Sequence, residues 1–87
     1  MTDPILERLR REISEIDRSI VEGFNRRLEV VAQIKRHKAE HGLAFVDPGR
    51  EAAMLDHQSG ENRGPLTEEG LRALYAELLA LTKREVL

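Results

Sequence analysis

The chain has 87 residues, 40% of them hydrophobic, which is enough for one small domain near the lower limit of a self-sufficient core. It has no cysteine, so a disulfide framework and a thiolate metal site are both excluded. Sixteen acidic residues against fourteen basic ones give a formal net charge of −2, and Phe24, Phe45 and Tyr75 are the only aromatics, a poor basis for tracking phosphates or stacking bases.

The opening Met1-Thr2-Asp3-Pro4 is not a charged-then-apolar signal, and no apolar run approaches the roughly 20 residues of a membrane span, so a cytoplasmic chain is expected. Asp3 before Pro4 predicts an N-cap and a first-turn proline, and only Gly23 weakens the helical pattern before Gly42. Leu6, Leu9, Ile13, Ile16, Ile20, Phe24, Leu28, Val31 and Ile34 recur every three or four residues, as an amphipathic helix requires. Arg27 stands seven residues from both Ile20 and Ile34, and Lys38 seven after Val31, so both cations fall on the apolar stripe. A buried cation is costly unless an anion meets it.

This helix would be roughly 57 Å long, whereas a compact chain of this size has a radius of gyration near 12 Å. Half of it would protrude with its stripe uncovered, which predicts a second copy in a two-fold dimer. Asp47-Pro48 repeats the cap-then-proline signal and opens a short helix expected to end near Ser59-Gly60. Gly60 to Pro65 is a turn-rich linker, and Thr67-Glu68-Glu69 opens a last helix with Leu71, Leu74, Tyr75, Leu78, Thr82 and Val86 inward. The expected fold is all-α, with long, short and medium helices making one domain over residues 1–87 that pairs into an intertwined dimer.

Arg27 and Lys38 share a face, with Cα atoms roughly 16 Å apart, a gap of small-molecule size. Arg10 lies about 25 Å from Arg27 along the axis and some 100° around it. In an antiparallel pair the partner's Arg10 could instead complete a three-cation site, which suits a compact dicarboxylate. Each residue also has a plainer reading. Arg27 could pair with Glu22 or a partner's acid, Arg10 could belong to an ordinary charged face, and Lys38 could lay its stem over apolar surface. Arg50 and Glu51 could be a first-turn surface pair. Asp47 is an N-cap in any case, and Thr82 could return its hydroxyl to a backbone carbonyl.

Leu9-Arg10, Ile13, Asp17, Arg27, Lys38, Asp47-Pro48-x-Arg50-Glu51 and Met54-Leu55 together resemble the all-helical chorismate mutases, over nearly the whole chain. The loop Phe45 to Glu51 and the later Gly64-Pro65 are similar to mutase domains fused to DAHP synthases, which implies such a synthase as a domain or partner. The resemblance implies that Arg27 and the partner's Arg10 clamp two substrate carboxylates while Lys38 donates to the ether oxygen. It further implies that Glu51 and the Asp47 backbone bind the ring hydroxyl, that Arg50 supports that corner, and that Thr82 lies near a carboxylate. No cofactor is implied.

Val86 departs from the pattern, because the family usually has glutamine or glutamate there to assist the lysine. Glu85 is one position off. Two other readings stay open: a dimerisation or regulatory module without chemistry, and the related isochorismate pyruvate lyase and aminodeoxychorismate mutase activities. The acid at Glu51 favours a mutase over the lyase.

Overall fold

A computed structural model describes residues 3–86, which form α1 (Pro4–Glu40), α2 (Pro48–Glu61) and α3 (Glu68–Val86), with no strand among them. None of these helices is long and apolar enough to cross a membrane. The helix starts follow the local chemistry. Asp3 Oδ1 accepts from the N–H groups of Ile5 and Leu6 at 2.9 and 3.2 Å, and Asp47 Oδ1 accepts from that of Arg50 at 3.1 Å. Each aspartate thereby satisfies donors that the first helical turn leaves unpaired.

The end of α1 is set by Gly42, whose φ of 66° lies in the left-handed region that glycine enters without steric penalty. There the N–H of Leu43 donates to the Lys38 carbonyl at 2.8 Å and that of Gly42 to the Ala39 carbonyl at 3.4 Å. This pattern of crossed bonds is a Schellman motif, and it turns the chain back toward α1.

α2 runs to Glu61, slightly beyond the expected stop at Ser59-Gly60. The stop is made by Asn62, whose backbone N–H donates to the Gln58 carbonyl at 2.9 Å. Its side chain organises the linker, donating to the Leu66 carbonyl at 2.9 Å and accepting from the Gly64 N–H at 3.0 Å. Thr67 Oγ1 then accepts from the Gly70 N–H at 3.0 Å, closing the first turn of α3.

α3 packs against both other helices. Only Leu71 and Thr82 are buried among the described residues, so one chain alone makes a thin core. Leu74, expected inward, is 49% exposed, while Leu79 and Leu81 are partly covered instead. The reason is that α3 divides its surface between two neighbours, which shifts the covered stripe away from a single period.

The molecule extends 62 × 24 × 18 Å with a radius of gyration of 17.0 Å, against about 12 Å for a compact chain of this length. The excess is the first half of α1. Its stripe stands in water, with Ile13 57% and Ile16 58% exposed. Such a row of large apolar side chains is more than scattered surface hydrophobicity.

At the α2–α3 corner, the Ser59 hydroxyl donates to Glu68 Oε2. That bond holds the Glu68 carboxyl below its ordinary value against an opposing desolvation, with help from the neighbouring Arg72 guanidinium 2.8 Å from Oε1. A depressed carboxylate stabilises the fold above its unfolded pKa, and the contribution is lost as pH falls through the folded one. Ser59→Ala is therefore expected to raise the Glu68 midpoint in a carboxyl NMR titration and to lower stability at neutral pH but not in strong acid.

Candidate active site

α1 presents Arg27, Val31, Ile34 and Lys38 at steps of four, three and four, which is one face of the helix. The turn at Gly42 brings Phe45 back against the end of that face, the N-cap of α2 then supplies Asp47, and α2 itself supplies Arg50 and Met54. Between them lies a cleft of about 490 Å³ with Arg27 at one end, Lys38 at the other and Asp47 and Arg50 along one wall. A smaller cavity of about 110 Å³ adjoins it, lined by Glu51, Thr82, Lys83 and again Arg27. Arg27 therefore serves both spaces.

Arg27 is half-buried, and its Nη1 donates to Thr82 Oγ1 at 2.6 Å. Thr82 passes its own hydroxyl proton back to the Leu78 carbonyl at 2.7 Å. The hydroxyl thus returns to the backbone, as the plainer reading expected, and also accepts from Arg27, a partner the sequence did not indicate. Glu22 is not the partner of Arg27.

Lys38 Nζ donates to the Phe45 carbonyl at 3.1 Å and stands 5.9 Å from the centre of the Phe45 ring. An ammonium has three donors, so two are left for something else. Glu51, 28% exposed at its side chain, pairs through Oε1 with Lys83 Nζ at 3.1 Å.

The electrostatics of the cleft follow. Among the described residues the ion pairs are Arg26–Glu29, Arg72–Glu68 and Lys83–Glu51. Arg27, Lys38 and Arg50 therefore line one cleft with no carboxylate in ion-pair contact, and Asp47 spends an oxygen on its helix cap. Such a surface is electrostatically suited to an anion. It also has the apolar flank of Val30, Val31 and Ile34 that would shield one from water.

Three expected positions lie elsewhere. Arg10 is exposed on α1, about 25 Å along the axis from Arg27, and does not reach the cleft of its own chain. Glu85 and Val86 line a separate groove of about 570 Å³ with Lys35, Arg36 and Ala39, on a neighbouring face of α1. Lys35 Nζ donates there to the Val86 carbonyl at 2.7 Å and so tethers the end of α3 to α1. Neither Lys35 nor Lys83 stands out in the sequence, since lysines near helix ends are ordinary dipole partners.

The sequence and the fold are both shared with known proteins. Residues 9–86 match the family described as chorismate mutase type II. The T-protein of Haemophilus influenzae is 46% identical over 80 residues, covering 86% of this chain and 21% of that protein. The 4-amino-4-deoxychorismate mutase of Streptomyces venezuelae is 33% identical over 51 residues, 59% of this chain and 50% of that one. The chain thus spans half or less of the length of these two curated relatives. The structure of chorismate mutase (Form I) from Thermus thermophilus superposes with a TM-score of 0.86 at 34% identity, covering 88% of this chain and 96% of that one.

Thr82→Val keeps shape but removes the acceptor for Arg27. It is expected to destabilise the fold by about 1 to 2 kcal/mol in chemical denaturation at fixed protein concentration, with Thr82→Ser close to wild type. Equal stability of the valine and serine variants would show that the hydrogen bond contributes nothing.

Proposed function

This chain belongs to the type II chorismate mutases, and from that premise we propose that it catalyses the Claisen rearrangement of chorismate to prephenate as an intertwined two-fold dimer. The observation that carries the reading is the cleft in which Arg27, Lys38 and Arg50 converge without carboxylate partners among the described residues. The rearrangement is intramolecular and needs neither a nucleophile nor a proton transfer. An enzyme has only to hold the reactive conformer and stabilise charge on the breaking C–O bond.

In this reading Arg27 and the partner's Arg10 clamp the two carboxylates. The apolar flank excludes water, which strengthens each charge interaction inside. Lys38, already fixed by the Phe45 carbonyl, turns a free N–H to the ether oxygen, where negative charge grows in the transition state. Glu51 and the Asp47 backbone receive the ring hydroxyl, Arg50 supports that corner, and Thr82 holds the Arg27 guanidinium at its carboxylate. Val86 has no side-chain donor, so Lys38 carries the ether oxygen without help from that position.

The dimer is supported by the uncovered stripe on the first half of α1, which a second copy of the same helix would cover. The loop Phe45 to Glu51 and Gly64-Pro65 support an association with a DAHP synthase, as fused domain or partner. The similarity to 4-amino-4-deoxychorismate mutase supports a second reading, in which the amino analogue of chorismate occupies the same cleft.

Following chorismate loss and identifying products from chorismate, aminodeoxychorismate and isochorismate tests these readings together. Prephenate from chorismate is expected, whereas no acceleration above background would leave only a structural module. Lys38→Met should lower kcat by about 10²- to 10³-fold. Mixing the Arg10→Ala and Lys38→Met variants should restore roughly one quarter of wild-type activity, because half of randomly mixed dimers are mixed and each keeps one intact site. No recovery on mixing would place Arg10 outside its partner's site.

A further inference from the structure

We propose that Lys83 is a positioning residue for Glu51, and that through it the cleft selects dicarboxylates carrying a ring hydroxyl. The inference rests on the mutase reading given above. A bare carboxylate beside the binding site of a dianion repels that ligand, so Glu51 needs a neutralising partner if the site is to fill. Lys83 Nζ, 3.1 Å from Oε1, is that partner.

The pair differs from the other two ion pairs among the described residues. Arg26–Glu29 and Arg72–Glu68 each lie within one helix, with side chains half or more exposed. Lys83–Glu51 joins α3 to α2, has side-chain exposures of 41% and 28%, and lines the cavity that contains Arg27 and Thr82. Exposed pairs contribute little, but one that bridges two helices at a cavity fixes a direction.

The origin of Lys83 is itself fixed. It follows Thr82, whose hydroxyl is held between Arg27 and the Leu78 carbonyl, so this turn of α3 is registered against α1. Lys83 then reaches to α2 and anchors one oxygen of Glu51, leaving Oε2 to accept from a ligand hydroxyl. Lys83 touches no reacting atom. Its effect is to make Glu51 an oriented acceptor instead of a swinging negative charge.

The test is calorimetric titration of the dimer with a bicyclic ether dicarboxylate bearing the ring hydroxyl and with the same compound lacking it. Lys83→Met is expected to weaken both dianions, because it bares Glu51, but to weaken the hydroxylated ligand roughly tenfold more than the deoxy ligand, with Lys83→Arg restoring both. Equal losses for both ligands, or none, overturn the role of Lys83. If Lys83→Met does not fold, Glu51→Gln/Lys83→Met strands neither charge. It should bind both ligands as Glu51→Gln alone does, and a further hydroxyl-specific loss overturns the proposal. Wild-type protein that binds neither ligand and leaves chorismate unchanged overturns the mutase reading and this role with it. Wild-type turnover with no hydroxyl selectivity in the variants overturns the role of Lys83 alone.

Discussion

Drawing positive charge partly out of water without supplying a carboxylate is the constraint on which this molecule depends. Arg27 and Lys38 are both half-buried, and each is met by a neutral oxygen: a threonine hydroxyl for one and a main-chain carbonyl for the other. Neutral acceptors satisfy hydrogen-bonding needs without cancelling charge. The cleft keeps its field, which is in place before any ligand arrives.

One of those two bonds also holds the fold in register. With only Leu71 and Thr82 buried among the described residues, hydrophobic burial within one chain is a thin basis for fixing α3 against α1. The Arg27–Thr82 bond sets the position of α3 along α1, and the Lys35 tether to the Val86 carbonyl secures its end. Fold and site are therefore not separable layers here. An arginine that lines the cleft also aligns α3 against the helix that carries it.

Much of this was legible in the sequence where the controlling signal is local. Asp3-Pro4, Asp47-Pro48 and Gly42 mark their helix ends because caps and left-handed turns act within a few residues. The shared face of Arg27 and Lys38 follows from helical register alone. Partners across helices are a different matter. Nothing in the periodicity joins Lys83 to Glu51, Lys35 to Val86, or Arg27 to Thr82 in preference to Glu22, because those distances are set by how three helices cross. Leu74 was misread as inward for a related reason: α3 serves two neighbours, and one stripe cannot describe two contacts. The end of α2 depended on Asn62 and its hold on the linker, which no glycine count reveals.

The turn at Gly42 has a further consequence through the oxygen it delivers to Lys38. That oxygen belongs to the peptide backbone, which every residue type possesses. Side chains in the connecting loop can drift through evolution while the ammonium keeps its anchor, provided the left-handed glycine survives. The durable part of this corner is thus a backbone path from Gly42 to Phe45, with Leu43 and Ala44 along it comparatively interchangeable.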